Sequence, residues 1–155
     1  MMTLNEKIKR LPQRFSDALA CDWSAVEQQL GSRTRCVCNR TGFGLGPARE
    51  IGLKVAETMR LPTLGYSAAE VQARSLACRQ RRDPFLVLRQ NDGSSAMVDA
   101  LIAELRAEKA ECLFPSAIPT AALPWIGNDD PICDAITMLL PAYATIEQAA
   151  RASRF

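Results

Sequence analysis

The stretch Arg35–Glu57, RCVCNRTGFGLGPAREIGLKVAE, decides how this chain folds. A short apolar run predicts a strand, and the glycine-rich loop Gly42–Gly46 follows it. A helix is predicted to open at Pro47, where the missing proline N–H costs nothing. A loop of this kind presents free backbone N–H groups and the positive end of a helix dipole. The order therefore predicts an α/β fold whose loop faces a phosphate or another anion.

The glycine pattern by itself leaves a second interpretation open. It reads Gly-x-Gly-x-Gly and not the dinucleotide fingerprint Gly-x-Gly-x-x-Gly, and no Gly-Lys-Ser/Thr follows it. Glycine is also the usual residue wherever a tight turn needs a positive φ. The loop is either an anion-binding element or a plain strand-to-helix turn.

The predicted helix carries a charged stripe of Glu50, Lys54 and Glu57, spaced i,i+4 and i,i+3. Such pairs stabilise a solvated helix by roughly 0.2–0.5 kcal/mol each, which is one explanation for them. The other is catalysis. If burial raises its pKa, a carboxylate at Glu57 can abstract a proton next to a carbonyl, and Lys54 can hold the developing charge.

Strand and helix signals alternate along the rest of the chain. Strands are predicted at 34–39, 63–66, 85–89, 111–115 and 122–126, and helices at 47–60, 68–79, 95–109 and from 131, where Pro141 should introduce a kink. The helix at 68 begins with the capping box Ser67–Glu70. We predict one domain, with a helical lead-in over 1–30 and an α/β core over 31–155. Its fold class is a three-layer αβα sandwich with a mostly parallel, roughly five-stranded sheet.

Composition excludes several functional classes. The chain is 48% hydrophobic and 23% charged, with a net charge of +2, which is too small for a nucleic-acid binder. No apolar run approaches the length of a membrane span or of a signal peptide, so we expect a cytoplasmic protein without membrane contact. The six cysteines are then expected to be reduced thiols. Cys36 and Cys38 lack the second pair that a zinc site needs, so neither metal nor cofactor is predicted.

The chain contains no histidine. Catalytic triads that use histidine, histidine metal sites and acid–base catalysis by imidazole are therefore excluded within it. Any chemistry must come from carboxylates, lysine, cysteine, hydroxyl groups, backbone dipoles or another chain.

Several segments together resemble the sugar isomerase (SIS) domain family. The run 48–57, AREIGLKVAE, resembles the family helix A-x-E-x-A-L-K-x-K-E, and Tyr66–Val71, YSAAEV, resembles the segment that follows it. LPWIGNDDPICDAITMLLPAYATIEQAA at 123–150 is similar to the family's closing strand and long helix. LPQRFSDALACDW at 11–23 fits the helices that precede such a unit. The likeness is to the second SIS half of double-domain proteins, such as the isomerase part of glucosamine-6-phosphate synthase and the tagatose-6-phosphate isomerase or amino-sugar deaminase group.

The resemblance implies a phosphosugar-binding domain with SIS-like, Rossmann-like topology. Glu57 matches the glutamate that moves a proton between sugar C1 and C2, and Glu50 and Lys54 match positions that line the same pocket. The ligand-binding positions it implies are Thr41, Gly42, Gly44 and Ser67. The expected ligand is a sugar phosphate or amino-sugar phosphate, and the expected partner is a second copy or a separate SIS first half.

The chain also departs from the family pattern. The family's His-Gly-Pro falls on Ala73-Arg74-Ser75, its Gly-Arg-Gly reads Arg40-Thr41-Gly42, and its serine-rich phosphate loop and lysine-bearing C-terminal tail have no counterpart. Three hypotheses follow. The chain is an isomerase or deaminase subunit that needs a partner half, a catalytically silent regulatory or dimerisation module, or a truncated half of a two-domain isomerase.

Overall fold

A computed structural model describes residues 2–31, 36–39, 42–71, 83–116, 123–127 and 129–153. Its elements, in chain order, are α1 (Leu4–Lys9), α2 (Leu11–Leu19), α3 (Ser24–Gly31), β1 (Cys36–Asn39), a 3₁₀ turn (Gly42–Gly44), α4 (Leu45–Met59), β2 (Thr63–Tyr66), β3 (Phe85–Val87), α5 (Ser95–Ala107), β4 (Cys112–Leu113), β5 (Pro115–Ser116), β6 (Leu123–Pro124), α6 (Pro131–Thr137) and α7 (Leu139–Ala152). None of the helices described is both long and apolar enough to cross a membrane.

The strands form a parallel sheet in the order β2-β1-β3-β4. The chain moves from β1 to one side and then returns to the other, so the loops after β1 and β3 meet at the carboxyl edge of the sheet. Open α/β sheets bind their ligands at such a switch point. The α/β class is confirmed, but the five-stranded sheet is not: β6, the fifth predicted strand, pairs instead with β5 in a separate two-stranded ribbon.

Helices cover both faces of this sheet. Alternate side chains of the β3 segment point to opposite sides: Leu86 and Leu88 belong to one buried cluster, and Phe85 and Val87 to another. The first cluster contains side chains of α3, α4 and α7, and the second contains side chains of α5 and of the helical turn that begins at Ala68. The three-layer arrangement thus follows from the apolar character of β3 on both faces.

The lead-in helices are fastened to the C-terminal part of the chain. The Arg14 guanidinium, 5% exposed, binds the Asp134 carboxylate at 2.5 Å and the Ile126 carbonyl at 2.9 Å. The Trp23 indole N–H donates to the Pro124 carbonyl at 2.8 Å. These contacts hold α2 and α3 against the segment that leads into α6.

One predicted helix start is wrong, and the kink predicted from Pro141 is confirmed as an interruption of the C-terminal helix. The helix after the glycine loop begins at Leu45 and not at Pro47, because Gly42–Gly44 already forms a 3₁₀ turn that runs into it. The long C-terminal helix breaks between α6 and α7, before Pro141. A helical proline lacks an N–H and crowds the carbonyl four residues earlier, here that of Thr137, the last residue of α6.

Candidate functional site

Helix α4 presents Glu50, Lys54 and Glu57 on one partly exposed face. The Lys54 ammonium donates to Glu57 Oε2 at 2.7 Å and lies 3.9 Å from Glu50 Oε1. The exposed fraction is 37% for the Glu50 side chain, 38% for Lys54 and 51% for Glu57. The structure therefore brings the three predicted catalytic residues together in one charged row.

A tyrosine from another helix completes this row. The Tyr143 hydroxyl, on α7, donates to Glu50 Oε1 at 2.9 Å. Burial raises the pKa of Tyr143, and the hydrogen bond to Glu50 raises it further, so its hydroxyl stays protonated at neutral pH. The hydrogen bond to Glu57 raises the pKa of Lys54, which stays cationic. The row thus offers a neutral donor, a fixed cation and two carboxylates.

Lys54, Glu57 and Tyr143 of this row line an open cleft of about 890 Å³ between α4 and α7. Its walls are formed by Lys54, Glu57, Thr58, Tyr143, Ile146, Glu147, Ala150 and Arg151. A volume in this range accommodates a small organic ligand. The lining combines apolar side chains, Ile146 and Ala150, with charged and polar groups, as binding sites for polar small molecules commonly do.

The glycine turn lies at the carboxyl edge of the sheet. Gly42 has a φ of 69°, and a Cβ there would come within 3.1 Å of Ser94 Oγ and 3.3 Å of Asp92 Oδ2. Glycine is therefore favoured at this position both by the backbone conformation and by the side chains of the loop after β3. Gly44 is buried and has a right-handed helical conformation. Thr41 lies outside the described residues.

Ser67 is also found at the carboxyl edge, directly after β2. Its hydroxyl accepts the Glu70 N–H at 3.2 Å, and its own N–H donates to Glu70 Oε2 at 2.7 Å. This is the capping box that the sequence predicts. The Ser67 hydroxyl therefore already caps the helix that begins at Ala68.

The predicted site residues fall into two groups that are far apart. Glu57 follows Gly44 by 13 positions on one continuous helical run, which corresponds to roughly 20 Å at 1.5 Å per residue. Lys54 and Glu57 line the cleft and Glu50 lies beside Lys54, whereas Gly42, Gly44 and Ser67 lie at the sheet edge. One sugar phosphate cannot contact both Glu57 and Gly44.

The sequence reasoning assigned Tyr143 only to an apolar helix face, and it missed Glu147 and Arg151. These three residues are four apart on α7, and Arg151 pairs with Glu147 at 2.5 Å. Their i,i+4 spacing predicts that the three side chains share one face of α7. The sequence of α7 alone does not show that this face lies towards α4.

The described thiols do not form a metal site. Cys21, Cys112 and Cys133 are free, and burial raises the pKa of Cys112 to about 11. Across the part of the chain that the structure describes, no three metal-ligating side chains converge. The side chains of Cys36 and Cys38 lie outside that description.

No family model and no curated protein matches the chain. Solved structures do match the chain. A protein from Silicibacter pomeroyi DSS-3 assigned as a phosphosugar isomerase superposes with a TM-score of 0.82 at 21% identity, over 93% of this chain and 45% of that one. The C-terminal domain of glucosamine-fructose-6-phosphate aminotransferase from Francisella tularensis gives 0.75 at 16% identity, over the same shares. A Bacteroides fragilis protein assigned as a phosphosugar isomerase involved in capsule formation gives 0.70 at 14% identity, over 99% of this chain and 93% of that one.

The similarity confirms the fold that the SIS resemblance implied. The Silicibacter pomeroyi and Francisella tularensis proteins share the fold of this chain over 93% of its length. The chain spans about half the length of the first two of these structures, 45% in each case.

Proposed function

We propose that this chain is a phosphosugar-binding SIS domain that is incomplete as an enzyme on its own. The observation that carries the proposal is the cleft between α4 and α7, where Lys54, Glu57 and Tyr143 converge. In this role Glu57 moves a proton between neighbouring sugar carbons, Lys54 holds the oxygen that gains negative charge, and Glu50 supports it. The fold shared with phosphosugar isomerases supports this assignment.

The solvent exposure of the charged row supports the proposal that the chain is incomplete as an enzyme on its own. A general base near neutral pH needs a pKa raised by burial or by neighbours, and the Glu57 side chain is 51% exposed. A second surface over the cleft would exclude water from Glu57 and Lys54. The isolated chain therefore binds the sugar phosphate, and turnover requires the covering partner. A catalytically silent module remains the alternative, supported by the same exposure.

An apolar surface near the end of α4 opposite Glu57 offers a contact for such a partner. We call Phe43, Ile132 and Ile136 the docking face. Phe43 is 58% exposed, and the two isoleucines project from the same side of α6, which contacts the 3₁₀ turn. The proposed occupant is a second SIS-type unit, either another copy of this chain or a separate first half. That two solved relatives are about twice as long as this chain is consistent with this occupant.

The remaining predicted residues belong to a second proposal at the sheet edge. Thr41, Gly42, Gly44 and Ser67 would contact a ligand bound at the switch point between β1 and β3. Because Gly44 and Glu57 are so far apart, this ligand would be distinct from the one in the cleft. The Asp92 carboxylate beside Gly42 disfavours an anion at that position.

A thermal-shift experiment tests the main proposal. Fructose 6-phosphate and glucosamine 6-phosphate are compared with unphosphorylated fructose and inorganic phosphate. A ligand at about 100 times its Kd stabilises the protein by roughly 2.7 kcal/mol, which is a shift of several degrees for a chain of this size. We expect this shift with a sugar phosphate and not with either control. Equal shifts with inorganic phosphate would contradict the proposal.

A further inference from the structure

The Lys54 ammonium is hydrogen-bonded to Glu57, although helical geometry favours an ion pair with Glu50. Glu50 precedes Lys54 by four residues, and a glutamate four residues before a lysine is the better helical arrangement. Even so, Lys54 Nζ lies 3.9 Å from Glu50 Oε1 and 2.7 Å from Glu57 Oε2, a residue that follows it. This preference is weak, so a single contact from outside α4 is enough to oppose it.

Tyr143, on α7, supplies such a contact. Its hydroxyl donates to Glu50 Oε1, the same oxygen whose distance from Lys54 is 3.9 Å. The contact joins residues 93 positions apart and fixes the Glu50 side chain towards α7. With Glu50 held in this way, Glu57 is the nearer acceptor for the ammonium group.

The other charged groups near Lys54 do not explain why its ammonium group bonds Glu57 and not Glu50. Glu50 and Glu57 pair with it from its own helix, and Tyr143, Glu147 and Arg151 on α7 line the same cleft. Glu147 is paired with Arg151, so it does not draw Lys54 away from Glu50. Of these groups, Tyr143 is the one hydrogen-bonded to Glu50.

We propose that Tyr143 is a positioning residue that determines which carboxylate the Lys54 ammonium binds. Because the Tyr143 hydroxyl holds the Glu50 carboxylate, the ammonium group binds Glu57. The arrangement fixes a cation beside the carboxylate that the proposed function treats as the base, and to that extent it rests on the proposed function. Tyr143 thereby links the outer wall of the cleft to its charged row. Replacement of its hydroxyl should redirect Lys54 without removing any charge.

The test is a set of crystal structures at neutral pH of the wild-type protein, Tyr143→Phe and Tyr143→Phe/Glu50→Gln. In Tyr143→Phe we expect Lys54 to leave Glu57 and to bond Glu50. In the double variant Lys54 should return to Glu57, because a neutral amide does not compete for an ammonium group. Tyr66→Phe is the matched control, since Tyr66 is the only other tyrosine and packs against the cluster on the opposite face of the sheet. Lys54 retained by Glu57 in Tyr143→Phe would overturn the proposal.

A binding measurement separates this proposal from the proposed function. If fructose 6-phosphate binds in the cleft, Tyr143→Phe should weaken it by roughly 3- to 10-fold, the range of one lost hydrogen bond, and Tyr66→Phe should not. Unchanged affinity despite a redirected Lys54 would overturn the link to ligand binding. If the wild-type protein binds no sugar phosphate but Lys54 is redirected, the proposed function fails and the positioning role of Tyr143 stands.

Discussion

The Lys54 ammonium and the Glu57 carboxylate are joined at 2.7 Å on the outer face of α4, where both are still in contact with water. An exposed ion pair of this kind contributes only about 0–1 kcal/mol to folding. Stability therefore gives little reason for the pair, and the proposed function assigns it to ligand binding. Under that proposal, the same exposure calls for a partner before Glu57 acts as an efficient base.

The docking face should be needed for association. We expect the wild-type protein to sediment as an assembly at micromolar concentration, and Phe43→Asp to sediment as a monomer with an unchanged circular dichroism spectrum, because the charge lies on an exposed surface. Leu64→Asp is the control, since Leu64 is 57% exposed on β2, outside the docking face. A wild-type chain that is only monomeric would contradict self-association and leave a separate first half as the partner.

Breaking the buried pair between Arg14 and Asp134 should be costly. Arg14→Met leaves the Asp134 carboxylate buried without its cation, and such a change costs about 3–5 kcal/mol. Arg151→Gln, which removes an exposed pair, should cost less than about 1 kcal/mol. Urea denaturation measures both. Similar losses for the two variants would show that the buried pair does not fasten the lead-in helices.

Two glycines of the same loop should respond in opposite ways to alanine. Gly42→Ala should destabilise the protein by about 1–2 kcal/mol or more, because the position has a positive φ and its Cβ would crowd Ser94. Gly46→Ala, inside α4 with nothing within 4 Å of the added Cβ, should stabilise it by about 0.4–1 kcal/mol. Thermal unfolding measures both. A neutral Gly42→Ala would contradict the described 3₁₀ turn.

Asp130 should make part of the stability depend on pH. Burial acts to raise the pKa of its carboxyl, but the Ile132 N–H and the Lys7 ammonium outweigh burial and hold the pKa below the ordinary value. A depressed pKa contributes stability above the unfolded-state pKa of about 3.9, and that stability is lost as the pH falls through the folded-state pKa.

Asp130→Asn should therefore lower stability by up to about 1 kcal/mol at neutral pH and have less effect below pH ~3. Denaturation curves across this range give the comparison. The idea fails if the loss in the variant is the same at all pH values.

Local sequence signals predicted the elements that local forces determine. The apolar run at Phe85–Val87 predicted a buried parallel strand, and Ser67 and Glu70 predicted a capping box, because each depends on neighbouring residues. The charged stripe on α4 followed from helical spacing alone. These features were sufficient for the α/β class and for the three candidate catalytic residues.

The remainder depends on contacts between distant residues. Tyr143 and Glu50 are 93 positions apart, and Arg14 and Asp134 are 120 apart, so no periodicity connects them. The structure adds that Gly42–Gly44 forms a 3₁₀ turn continuous with α4, so Gly44 and Glu57 lie near opposite ends of one helical run. The pairing of β6 with β5, away from the main sheet, depends on packing beyond β4.

Calorimetric titration of fructose 6-phosphate and glucosamine 6-phosphate into the wild-type protein, Lys54→Met and Gly46→Ala tests the central claim most directly. If the cleft is the binding site, the wild-type protein and Gly46→Ala bind at least one of the two, and Lys54→Met binds it at least about tenfold more weakly, a loss of about 1.4 kcal/mol. Equal affinity of the wild-type protein and Lys54→Met would contradict the claim and would place the ligand away from the charged row of α4.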